Sequence, residues 1–314
     1  MSRILTVTLN PALDLSTETG TIIPQRKLRC AAPRLDPGGG GINVTRALQH
    51  LGGDSRCLLA LGGDTGRTMR RLLKEEGIAI EVFDGDYPTR QSFSVREDTT
   101  GVQYRFVMPG AKWTETDCSN AQARILSECE AGDLIVPSGS LPPGVPAGFF
   151  AAMNEAIVHR GGRMVLDTSG DALADAAKRQ AGLFCLRMDH VEAETLAGKK
   201  LRSLVATAEF ASELHEAGAA RLVAIACGAD GTILVDGMER WHCAPPHVEV
   251  VSAVGAGDSF VAGFVLGLQC RHPPAEACML GVAAAASAVT TPDTQLCDGA
   301  RAHGFVDQVV VSMI

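Results

Sequence analysis

Short apolar runs alternate along most of the chain with longer stretches whose apolar positions recur every three or four residues. Residues 4–9 (ILTVTL) predict a buried strand. After Gly41, INVTRALQHLG has helical spacing and a closing glycine, so it predicts a helix. The same alternation predicts strands at 57–61, 134–136, 164–166, 183–186, 222–226 and 232–235. Helices are predicted at 65–76, 146–160, 171–181, 191–197, 204–217, from 258 onward, and at 274–288. Strands alternating with helices imply βαβ units, hence an α/β fold around a mostly parallel sheet.

Two segments break the alternation. Residues 12–34 contain Pro24 and Pro33 and have no helical period. Residues 86–108 alternate apolar and polar positions around Thr100-Gly101, a hairpin pattern. Two β-rich pieces far apart in sequence can pair as a small separate sheet, used as a lid over the mouth of the larger one. Two independent surface loops are the plainer alternative. No internal repeat or low-complexity segment is visible, and one domain over 1–314 accommodates the whole pattern.

Composition narrows the function classes. Of the 314 residues 46% are hydrophobic and 20% charged, enough for a sizeable core. A net charge of −8 argues against sequence-independent nucleic-acid binding, which needs a basic footprint, but leaves room for a local basic pocket. The ten cysteines form no CxxC pair and no Cys/His cluster with zinc spacing, as expected of free thiols in a reducing cytoplasm. The N-terminus turns polar by residue 10, too soon for a secretory signal. The runs FVAGFVLGL and MLGVAAAASAV are too short or too rich in small residues to span a bilayer, so no membrane association is expected.

Five segments carry candidate chemistry. Pro37-Gly38-Gly39-Gly40-Gly41-Ile42-Asn43 leads four glycines into a helix, which suits close ligand approach and equally suits a flexible loop; Asn43 in the first turn favours a sugar-binding loop. Ser252–Phe260 (SAVGAGDSF) places one acid after Gly255, Ala256 and Gly257 at a helix start. That acid is either an N-terminal cap or a general base beside an anion hole, and spacing leaves both open. Lys27, Arg90 and Arg105 are isolated basic residues; the two arginines can grip a phosphate or simply be solvated. In Arg187–Glu192 (RMDHVE), Asp189 and Glu192 stand three apart after a strand, either as Mg²⁺ partners through water or as a capping pair. Cys227–Gly231 (CGADG) is a turn between two apolar strands, with Gly228 and Gly231 either in a plain hairpin or along a nucleotide.

In this order the segments resemble the ribokinase-like, or PfkB, family of carbohydrate kinases, and most closely its 6-phosphofructokinase branch. The resemblance covers essentially the whole chain. It rests on TLNPALD (8–14), KLRCAAP (27–33), PGGGGINVTRALQHLGG (37–53), TRQSF (89–93), QYRFVMPG (103–110), SGSLPPGV (138–145) and VGAGDS (254–259). Gly40 favours this branch, since the related 1-phosphofructokinases and tagatose-6-phosphate kinases usually carry lysine there.

The resemblance implies a three-layer sandwich with a β-sheet lid, ATP and Mg²⁺ as cosubstrate and cofactor, and pairing of lids into a homodimer. Asp258 would be the catalytic base and Gly255, Ala256 and Gly257 the anion hole. Asp14, Gly39, Gly40 and Asn43 would face the sugar, and Arg90, Arg105 and nearby Ser140 its phosphate. Glu192 would organise Mg²⁺ through water. Arg187, Asp189, Gly228 and Gly231 would lie along the nucleotide, with Lys27 a lid-side residue tied to inhibitory ATP. The reaction implied is phosphorylation of fructose 6-phosphate at its 1-hydroxyl. Tagatose 6-phosphate or fructose 1-phosphate are alternative substrates, and a non-catalytic sugar-phosphate sensor or a nucleoside or ribose kinase are competing classes.

The nucleotide side departs from the family pattern. Arg187-Met188-Asp189 stands where the family has Lys-Pro-Asn, Ala226-Cys227 where a serine is common, and Thr291–Gln295 where an Asn-x-Gly segment lines adenine and a K⁺ site. Exchange of Asn for Asp adds negative charge beside the ATP phosphates, so weaker nucleotide binding or altered metal use is expected.

Overall fold

A computed structural model describes residues 2–85, 87–178, 180–292 and 295–314. The chain runs β1 (Ile4–Thr8), β2 (Ala12–Thr19), β3 (Arg34–Gly38), α1 (Gly40–His50), β4 (Arg56–Leu61), α2 (Gly63–Glu75), β5 (Ile80–Asp84), β6 (Arg90–Glu97), β7 (Gln103–Val107), α3 (Glu115–Glu128) and β8 (Leu134–Pro137). It continues α4 (Phe149–His159), β9 (Arg163–Asp167), α5 (Gly170–Lys178), β10 (Leu183–Asp189), α6 (His190–Ala197), α7 (Leu204–Glu216), β11 (Ala220–Ala226), β12 (Thr232–Asp236) and β13 (Glu239–Ala244). Last come α8 (Ala256–Gln269), α9 (Pro274–Ala288), α10 (Gly299–Val306) and β14 (Val310–Met313).

The larger sheet has the order β14-β13-β12-β11-β10-β9-β8-β1-β4-β5. From β11 to β5 neighbouring strands are parallel, and β12, β13 and β14 add an antiparallel edge. Strands covered on both faces read as continuous apolar runs, as in Ile4–Thr8, every residue of which is buried. One face packs against α3 to α7 through residues such as Ile125, Met153, Leu173 and Phe210. The other packs against α1, α8, α9 and α10 through Val44, Phe264, Val282 and Ala302. Met69 and Leu73 of α2 close a smaller cluster over β4.

The two segments outside the alternation do pair. They form a four-stranded sheet of order β3-β2-β6-β7, with β2 and β6 parallel and the other pairs antiparallel. The hairpin between β6 and β7 turns at Gly101, whose φ of 71° suits glycine. Within 12–34 the extended reading holds only as far as Thr19 and again at Arg34; residues 20–33 form no strand. Glu97 anchors this loop by accepting the Ile22 N–H at 2.8 Å and the Thr100 hydroxyl at 2.8 Å.

The two small-residue runs are neither loops nor membrane spans. They are the facing sides of α8 and α9, where a Cβ on Gly267 would stand 2.7 Å from the Ala277 Cα and one on Gly263 2.5 Å from the Leu280 carbonyl. Glycine here allows backbone contact between two largely buried helices. Among the described residues no helix is long and apolar enough to cross a membrane.

Candidate active site

The carboxyl ends of the parallel strands and the small sheet meet over the glycine run. β3 delivers Gly38 beside Asp14 so closely that a Cβ there would overlap the Asp14 carboxylate. One step on, a Cβ on Gly40 would stand 2.3 Å from the Ser138 hydroxyl. The close approach, not flexibility, is what requires these glycines. α1 then starts, and Asn43 sits in its first turn with its N–H on the Gly39 carbonyl at 2.9 Å.

A cleft of about 390 Å³ lies here, lined among others by Asp14, Gly39, Gly40, Asn43, Arg90 and Arg105. Six of the seven residues assigned to the sugar side thus line one cavity. Burial raises the Asp14 pKa against the opposing charges of Arg105 and Arg90. Arg90 is already held: its guanidinium donates to the Asn10 carbonyl at 3.2 and 3.1 Å and to the Met108 carbonyl at 3.0 Å. Ser140 accepts a hydrogen bond from the Asn10 side chain at 3.1 Å, so Asn10 joins it to Arg90.

Asn43 also reaches across the molecule. Its amide donates to the Asp258 carboxylate at 2.9 Å. Gly255, at φ 80°, is the N-cap of α8, and no side chain caps this helix. Asp258 therefore lies at the third helical position and is not the cap. The first intrahelical bond runs from the Ser259 N–H to the Gly255 carbonyl at 2.9 Å. The N–H groups of Ala256, Gly257 and Asp258 thus have no intrahelical acceptor, which makes this helix start suited to an anion. Asp258 has its pKa pushed up to about 7, by burial first and then by the charge of Asp167, against the Asn43 hydrogen bond and the Arg187 charge.

Arg187 packs against the same turn: a Cβ on Gly257 would stand 3.0 Å from its guanidinium. It donates to Asp167 at 3.0 Å. Burial opposes its charge, but the fields of Asp167, Asp258 and Glu192 outweigh this and raise its pKa. Its Nε–H is buried without a partner. Asp167, at the end of β9, also accepts the Ser138 hydroxyl at 2.7 Å, so Gly40, Ser138, Asp167, Arg187 and Gly257 form a continuous chain. Neither Asp167 nor Asn10 stood out in the sequence. Asn10 lay within TLNPALD, and Asp167 was a lone acid ending a strand, a position with no chemical pattern of its own.

Asp189 and Glu192 form a reciprocal capping box at α6: Glu192 N–H to Asp189 at 2.8 Å and Asp189 N–H to Glu192 at 2.9 Å. The capping alternative is therefore what the geometry shows, and each carboxylate keeps one oxygen uncommitted. Burial raises the Glu192 pKa. Gly228 and Gly231 flank the turn of the β11–β12 hairpin, at φ 62° and 95°. Lys27 is exposed in the 20–33 loop and makes no hydrogen bond or ion pair among the described residues. Of the 291–295 segment, Asp293 and Thr294 lie outside the described residues. No group of three or more His, Cys, Asp or Glu side chains could hold a metal among the described residues.

A buried carboxylate at a glycine-led helix start, joined by one hydrogen bond to a cleft with two arginines, suits phosphoryl transfer to a small alcohol. Comparison with known proteins agrees. The chain is 38% identical over 297 residues to the ATP-dependent 6-phosphofructokinase isozyme 2 of Escherichia coli (strain K12), covering 95% of this chain and 96% of that one. Its fold superposes on the crystal structure of Escherichia coli phosphofructokinase-2 in complex with potassium with a TM-score of 0.93, and on that in complex with fructose-6-phosphate with a TM-score of 0.90. Both are 36% identical and cover 98% of this chain and 99% of theirs. The model of the pfkB family of carbohydrate kinases matches residues 9–300, and the chain belongs to that family.

Proposed function

We propose that the protein is an ATP-dependent 6-phosphofructokinase that converts fructose 6-phosphate to fructose 1,6-bisphosphate. The observation that carries this reading is the 2.9 Å bond between Asn43 and Asp258, which joins the arginine-bearing cleft to the bare helix start. The sugar phosphate is gripped by Arg105 and by the free donors of Arg90, and Asp14, Gly39, Gly40 and Asn43 orient the hydroxyls. Asp258 takes the proton of the 1-hydroxyl as its oxygen bonds to the γ-phosphorus and the bond from that phosphorus to the bridging oxygen of ATP breaks, releasing ADP. The N–H groups of Ala256, Gly257 and Asp258 hold the oxygens of the migrating group. The partnerless Nε–H of Arg187 supplies a further donor, and this orphaned group supports an anion at that position.

Mg²⁺ fits the uncommitted oxygen of Glu192, since it binds through few carboxylates and keeps its water; it would neutralise phosphate charge. Asn43 and Asp258 stay fixed by the scaffold, while the small sheet, which carries Asp14 and Arg90, acts as a lid closing the cleft. Ten free thiols support a reducing cytoplasmic setting. A coupled ADP-release assay with fructose 6-phosphate and Mg-ATP tests the reading, beside tagatose 6-phosphate and fructose 1-phosphate. Turnover is expected with fructose 6-phosphate and loss of nearly all of it in Asp258→Asn. Turnover that survives that change overturns the mechanism, and a preference for another phosphosugar overturns the substrate.

A further inference from the structure

At the opposite end of the larger sheet lies a second cleft, of about 540 Å³. It opens beside the first residues of the strands: Arg163 begins β9, Phe184 is the second residue of β10 and Arg221 the second of β11. The connection between α8 and α9 completes it with Arg271 and His272. No carboxylate lines it. In a chain of net charge −8, three guanidiniums around one cavity are a marked segregation of charge.

Two of the cations share one aromatic ring. Arg163 stands over the Phe184 ring at 4.7 Å and Arg221 at 5.8 Å from the same centroid. Burial, with the neighbouring Arg221 charge, lowers the Arg163 pKa, so the site strains against its own charge. Asp236 offsets Arg221 at 3.3 Å and Glu276 meets His272 at 3.7 Å, but Arg163 and Arg271 have no acidic partner among the described residues. Arg271 is also backbone-strained. It follows the C-cap of α8 at φ 63°, a left-handed position that glycine fills most easily, and yet it carries a guanidinium that lines the cleft.

From this cleft we propose a second anion site, remote from the active centre, that takes a phosphate-bearing polyanion between Arg163, Arg221 and Arg271. Guanidinium forks match phosphate oxygens in pairs, and the two uncompensated charges call for more than one negative charge on the ligand.

Isothermal titration of the full chain with pyrophosphate tests the proposal. Wild type is expected to show two independent sites. The double variant Arg163→Gln/Arg271→Gly should lose about tenfold or more in affinity at one of them while turning over substrate normally. Arg105→Gln should weaken only the other. Arg271→Gly alone guards against misfolding: glycine suits the helix end, so this variant should melt no lower than wild type and still bind pyrophosphate more weakly. Parallel titrations with inorganic phosphate and with a phosphorylated sugar tell a free anion from an esterified one, and either should depend on Arg163 and Arg271. Equal affinities in wild type and the double variant, or a single site abolished by Arg105→Gln, overturn the proposal.

Discussion

On the proposed function Asp258 is the base, and its environment sets a pH signature. A base with a pKa of about 7 is protonated below that value, so kcat/KM should rise about tenfold per pH unit up to about pH 7 and level off above it; a profile flat from pH 5 to 9 would count against Asp258 as base. The same shift acts on stability. The unfolded carboxyl titrates near 3.8 and the folded one near 7, so the native state holds the proton more tightly and loses stability as pH rises between these values. Asp258→Asn should therefore raise the melting temperature at pH 8 while abolishing turnover, the gain being about 1–3 kcal/mol. A second expectation concerns Asp189, whose charge sits where the family pattern has Asn. Asn can keep the cap, so Asp189→Asn should lower the KM for Mg-ATP several-fold without unfolding α6, and an unchanged KM would show that Arg187 already offsets the charge. Single residues were legible in the sequence where they belonged to a glycine pattern, as Asp258 and Asn43 did. Arg187 was legible as a departure, but its link to Asp167 was not, because an ion pair between adjacent strand ends leaves no trace in local spacing.

The elements were read well where periodicity was strong and continuous. β1, α1, β10 and α9 follow their patterns because each buries a wide apolar surface. α3, by contrast, carries no legible stripe: only Ala121 and Ile125 of its fourteen residues are buried, so its helix rests on the Thr114–Asp117 capping box more than on an apolar face. β13 and β14 were missed for a related reason. Strands near the sheet's margin with mixed exposure, such as ERWHCA, show no clean alternation. The helix pair α8 and α9 links element to site, since α8 begins with the turn whose N–H groups lack an intrahelical acceptor. Gly267→Val would force a branched side chain into the Ala277 backbone; thermal or urea unfolding should show a loss of about 2–3 kcal/mol. A wild-type midpoint would contradict the close packing of these helices.

At the scale of the molecule, the small sheet is the part least like a finished domain. Phe93, Tyr104, Phe106 and Val107 are exposed on it, the last two by 52% and 65%, and β7 is an unpaired edge. Pairing with a second copy through this face would cover both, and light scattering should show Phe106→Asp shifting the protein to monomer while Asp258 and the larger sheet stay intact; an unchanged mass would place any assembly elsewhere. The parallel pairing of β2 with β6 has one more consequence, in time. The segment between them contains β3, α1, β4, α2 and β5, so the two strands meet only after a long stretch of chain has been brought into order. The glycine run and Arg90 depend on that meeting. During refolding, then, helical circular dichroism should return first and phosphosugar turnover later, so that the catalytic pocket is born last, as the seam closed by two distant parts of the chain.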